Sequence, residues 1–124
     1  MFIIDDDKTI HLTRGDVAVI EVGARNLDGE AYNLNPGDVV RIQVFEKKRC
    51  DNVVLSKSVV VSDETTVVEI LLTSEDTRFG EVISKPQTYW YEIEINPDSV
   101  PQTIVGYDRD GPKLFVLYPE GGDA

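Results

Sequence analysis

The chain has 124 residues, 41% of them hydrophobic and 28% charged, the proportions of one ordinary globular domain rather than of a disordered chain. Its 12 basic and 23 acidic residues give a net charge of −11, which disfavours nucleic acid and anionic membranes, since both are captured by basic side chains. The single cysteine, Cys50, excludes an intramolecular disulfide; with one histidine, His11, it also excludes a zinc or iron site of soft ligands within one chain.

Met1-Phe2-Ile3-Ile4 runs directly into Asp5-Asp6-Asp7. A signal peptide needs a basic start and a longer apolar stretch, and a spanning helix needs roughly 20 apolar residues. The sequence therefore reads as made in the cytoplasm, from where an assembled particle can carry it outside. One domain is expected over 1–124, with its core at about 9–118 and loose ends at 1–8 and 119–124.

From there the chain alternates with period two in short runs, the pattern of strands with one buried face. Thr9-Ile10-His11-Leu12 leads into Arg14-Gly15-Asp16, a kink or turn. Val17 to Val22 sets Ala18, Ile20 and Val22 against Val17, Val19 and Glu21. Asp28-Gly29 suits a tight hairpin, and Asn35-Pro36-Gly37-Asp38 a type II turn. Val39 to Glu46 sets Val40, Ile42 and Val44 against Arg41, Gln43 and Phe45. Val53 to Val61 is a β-branched run, and Val67 to Leu72 groups Val68, Ile70 and Leu72. Thr73 to Gly80 reads as one helical turn or two, capped by Thr73 or Ser74, with Glu75 and Asp76 in its first turn and Gly80 at its end. Tyr89 to Ile95 places Tyr89, Tyr91, Ile93 and Ile95 opposite Trp90, Glu92 and Glu94. Asn96-Pro97-Asp98-Ser99 closes that strand, and Asp110-Gly111-Pro112 precedes Leu114 to Tyr118.

About seven to eight strands with turns this frequent predict an all-β, immunoglobulin-like antiparallel sandwich with one short helical turn near 73–80. The runs Ala18/Ile20/Val22, Val40/Ile42/Val44, Val68/Ile70/Leu72 and Tyr91/Ile93/Ile95 are its expected shared interior. No helix is long enough for a parallel α/β crossover.

Side chains that could carry chemistry are few. His11 reads as a sheet position on an edge or end strand, without the neighbouring nucleophile a triad needs. Cys50 follows Lys47-Lys48-Arg49, a cationic setting that can lower a thiol pKa, but a solvated hairpin turn over 48–52 explains the same residues. Asp5-Asp6-Asp7 and Asp108-Arg109-Asp110-Gly111 offer oxygen ligands on loops, without the spacing of an EF-hand. Glu92 and Glu94 share one strand face with Trp90, as on a glycosidase or sugar-binding face, and equally as on the outer, partly covered face of a central strand. There is no phosphate-binding glycine loop and no basic patch with interleaved aromatics. No catalytic, cofactor-binding or metal-binding residue is expected, and no cofactor.

Several segments carry a resemblance. They are Ile10-His11-Leu12-Thr13-Arg14-Gly15-Asp16, Asp28-Gly29, Tyr32-Asn33-Leu34, Pro36-Gly37-Asp38-Val39-Val40-Arg41-Ile42 and Leu71-Leu72-Thr73-Ser74-Glu75-Asp76-Thr77. Tyr89-Trp90-Tyr91-Glu92-Ile93-Glu94-Ile95 and Gln102-Thr103-Ile104-Val105 complete the pattern. Their order resembles the immunoglobulin-like N-terminal domains of phage baseplate upper proteins and related small tail-associated prophage proteins of low-GC Gram-positive bacteria. The resemblance spans roughly Ile10 to Tyr118. In it Arg14-Gly15-Asp16 is a turn leading into a strand rather than an integrin ligand.

The resemblance implies a non-enzymatic structural module of a tail or baseplate. Such a module docks on other tail proteins and often forms rings or trimers; the acidic charge, separately, argues against nucleic acid and membrane as partners. Family members often continue into long helical or fibrous regions, whereas this chain stops just after Tyr118, as a free-standing version would. The alternative expectation is a carbohydrate- or calcium-binding sandwich using Trp90, the tyrosines and the loop aspartates.

Overall fold

A computed structural model of the chain describes residues 2–23, 30–49, 51–80, 84–99, 101–105 and 111–120. The strands among them are β1 (Phe2–Ile4), β2 (Ile10–Thr13), β3 (Ala18–Gly23), β4 (Val39–Lys47), β5 (Asp51–Val60), β6 (Val67–Leu72), β7 (Gln87–Ile95), β8 (Gln102–Val105) and β9 (Lys113–Tyr118), with one 3₁₀ turn at Asp76–Arg78. The protein is an all-β sandwich. Its larger sheet runs β1-β2-β9-β7-β4-β5, with β8 paired to β7 beyond the end of β9, and the smaller sheet is the antiparallel pair β3-β6.

The alternation of the sequence decides which side chains meet between the layers. β3 and β6 are buried at every second residue: Ala18, Ile20 and Val22 on one strand, Val68, Ile70 and Leu72 on the other. Facing them are Val40, Ile42 and Val44 of β4, Tyr91, Ile93 and Ile95 of β7, Ile10 and Leu12 of β2, and Phe115 and Leu117 of β9. The four triplets expected to share an interior do share it. Each such side chain removed from water contributes roughly 1.5–3 kcal/mol.

The turns are built as their residues dictate. The Asp38 amide donates to the Asn35 carbonyl at 3.0 Å, and Gly37, at φ 97°, occupies the left-handed position that a type II turn gives to glycine. Asn96 ends β7 by imitating a strand residue. Its amide donates to the Val39 carbonyl at 2.7 Å, and its side-chain oxygen accepts from the Val39 amide at 2.8 Å. The helical turn opens on a reciprocal cap, with the Thr73 amide donating to Asp76 Oδ2 at 2.9 Å and the Asp76 amide to Thr73 Oγ1 at 3.1 Å.

Three features differ from the sequence expectation. Phe2–Ile4 is a strand paired with β2 rather than a loose end, and half-buried Phe2 packs on the core. The acidic run after it is the connecting turn: the Lys8 amide donates to the Asp5 carbonyl, and Asp7 Oδ1 accepts from the Thr9 amide at 3.0 Å. Short acidic side chains bond to the backbone two residues on, so a cluster of aspartates is a turn former. Second, Glu120 is tied down by Arg14 and Arg78 rather than loose. Third, the antiparallel pattern is broken by β2 and β9, which run parallel with Ile10 beside Phe115 and Thr13 beside Tyr118. The Asp28-Gly29 hairpin, Cys50, Asp108-Arg109-Asp110 and the tail beyond Glu120 lie outside the described residues.

Candidate docking surface

Of the side chains singled out for chemistry, His11, Asp5, Asp7 and Glu94 are held in structural contacts. His11 lies on β2, between β1 and β9, rather than on an edge strand. Its Nε2 is 2.7 Å from Asp5 Oδ2 and its Nδ1 is 2.8 Å from the Tyr118 hydroxyl, which ties the first turn to the last strand. Trp90, Glu92 and Glu94 lie on β7, which β4 borders on one side and β9 and β8 on the other; all three are half-covered, and Glu94 pairs with Arg41 at 3.2 Å. That is the outer face of a central strand. Among the described residues no three His, Cys, Asp or Glu side chains are grouped to hold a metal ion, and no helix is long and apolar enough to cross a membrane.

Arg14 of the Arg-Gly-Asp sequence is turned inward, only 10% exposed. It donates to the carbonyls of Arg78 and Gly80 and to Glu120 Oε1, and Arg78 Nε donates to the same oxygen at 3.0 Å. Ser74 Oγ donates to the Gly15 carbonyl and buried Thr77 Oγ1 to the Asp16 carbonyl, so the turn after β2 and the 3₁₀ turn form one bonded unit. Asp76 in that unit accepts from Lys57 Nζ at 2.8 Å, and this bond, with those from Thr73, lowers its carboxyl pKa.

Among the described residues, what remains open is a margin of the sandwich. The smaller sheet has two strands against the seven of the larger, and β6 has β3 as its only ladder neighbour among the described residues. On the larger sheet, β4 buries Val40, Ile42 and Val44 completely, while their partners on β5, Val59, Lys57 and Leu55, are only half-covered. A cleft of about 260 Å³ opens beside β5 and β6, lined by Val59, Val60, Val61, Val68, Asp63 and Glu69 among others. Val60, at its lip, is 64% exposed.

The outer face of the smaller sheet continues this margin. Val19 stands opposite Leu71, Glu21 opposite Glu69, and Gly23 opposite Val67. Val17, Val19, Val67 and Leu71 are each more than 40% exposed. Like charges directly opposite on paired strands are destabilising, and neither glutamate forms an ion pair with another described residue. Sequence reasoning placed Val17, Val19 and Glu21 on the outward face but had no means of seeing Glu69 across from Glu21. The strand register supplies that.

Compared with family models, with curated proteins and with solved structures, the chain finds no match.

Proposed function

We propose that this sandwich is a non-enzymatic, immunoglobulin-like assembly module of a phage or prophage tail or baseplate, acting through protein–protein contacts. The observation that supports the reading best is the two-stranded sheet, with an edge that is unpaired among the described residues and borders an apolar cleft, and with exposed valines and a leucine on its outer face. Unpaired strand edges and contiguous apolar surface are what protein partners bind. The resemblance across Ile10 to Tyr118 supports the tail or baseplate setting.

The test is to purify the chain alone and with the products of its neighbouring genes, and to measure mass by size-exclusion chromatography with light scattering. A ring, a trimer or a stable complex with a tail protein is the expected result. A strict monomer that joins none of those products removes the reading.

A further inference from the structure

Among the described residues the smaller sheet has an edge on β6 that no strand covers, and its surroundings bear on what kind of strand fits there. A strand added to β6 alternates its side chains about the sheet. Its inward residues enter the cleft lined by Val59, Val61 and Val68, and its outward residues extend the row that holds Leu71, Glu69 and Val67. The first set of positions takes apolar side chains. The outward position beside Glu69 takes a cation, because Glu21 and Glu69 stand directly opposite each other there and no described residue forms an ion pair with either.

We infer that β6 accepts, by strand addition, an extended segment of another protein in which apolar residues alternate with Lys or Arg. The occupant is a different protein rather than a second copy. The chain carries −11, and an isologous contact on this face would bring two Glu21/Glu69 pairs together. A basic partner segment supplies the two carboxylates with a counter-charge, fills the cleft and pairs the backbone edge of β6 beyond Val67, whose amide and carbonyl the Thr65 hydroxyl already holds. Lys57, bonded to Asp76 at 2.8 Å, is already engaged and leaves the acidic character of this margin to Glu21, Asp63 and Glu69. The inference rests on the assembly reading and gives it a surface and a partner chemistry.

The experiment uses the full chain and three synthetic nonapeptides. One alternates valine and lysine, one has the same charge but a central proline that blocks pairing, and one alternates valine and glutamate. Binding is followed by titration and by amide hydrogen exchange. The expected result is binding of the valine–lysine peptide at least about tenfold tighter than either control, with new protection within β6 beyond Val67. Glu69→Lys and Glu21→Lys, both at exposed positions, should each weaken that binding by about tenfold or more while the melting temperature is retained. Equal binding of the proline peptide, or protection confined to other strands, overturns the inference, since attraction of polycations to an acidic protein explains it.

Light scattering of the Glu69→Lys variant with the neighbouring gene products separates the two levels. A complex of the parent chain that persists in the variant removes this surface and leaves the assembly reading standing; a parent chain that forms no complex and binds no peptide removes both.

Discussion

Tyr91 donates its phenolic hydrogen to the Lys8 carbonyl oxygen at 2.6 Å, joining the centre of β7 to the turn between β1 and β2. The ring is 2% exposed and packs edge-on against Phe115. Burial, with a smaller contribution from Asp7, holds the hydroxyl well above the ordinary tyrosine range. The unfolded chain releases this proton near pH 10 while the folded chain keeps it, so stability is complete below about pH 10 and falls as pH rises further. Tyr91→Phe should lower stability at neutral pH by about 1 kcal/mol and flatten the alkaline limb. Urea midpoints collected between about pH 8 and about pH 11 check both; an unchanged alkaline slope would contradict the assignment.

Asp76 acts in the opposite direction. Its carboxyl pKa is lowered first by Lys57 and then by the Thr73 amide, so its stabilisation is present above the ordinary carboxylate range and is lost as pH falls through the folded value. Asp76→Asn should reduce stability at neutral pH by about 1 kcal/mol and make the acid limb shallower. Thermal melts from neutral to acidic pH give the comparison with the parent chain.

Gly15 sits at φ +87°, and a Cβ there would lie 2.8 Å from Glu120 Oε1. Gly15→Ala therefore combines a left-handed backbone with displacement of the carboxylate that Arg14 and Arg78 share. A loss of about 1–2 kcal/mol is expected from the backbone alone, read as a lower urea midpoint at unchanged slope. A loss well above that would show that the Arg14–Glu120–Arg78 group contributes further.

Glu69→Gln should raise stability, by a few tenths of a kcal/mol, because it relieves the repulsion from Glu21 across the ladder. The gain should be largest at low ionic strength and fade as salt screens the pair. Melting temperatures at low and high salt measure it. A decrease at low salt would mean that Glu69 has a favourable partner in the free protein.

The core was legible because burial in a sandwich follows period two: Ile20, Ile42, Ile70 and Ile93 could be placed inward from their neighbours alone. The turns at Gly37 and Asn96 were legible because Pro, Gly and Asn have local backbone preferences. Pairing was not. Nothing within Ile10–Thr13 or Lys113–Tyr118 encodes that these two strands run parallel, since that depends on how the whole chain closes. The open margin was hidden for the same reason. Glu21 and Glu69 each look like an ordinary solvated residue until the register sets them face to face.

The β2–β9 ladder also sets a schedule. His11 and Tyr118, bonded across it, stand 107 positions apart in the chain. During synthesis β2 therefore emerges long before the strand that will lie on its inner flank, with only β1 beside it in the meantime. Local contacts cannot complete this sheet, so closure awaits the last strand, and folding belongs with the slow, non-local β topologies. A nascent chain halted before Lys113 would expose Ile10 and Leu12, two of the most deeply buried side chains of the finished fold.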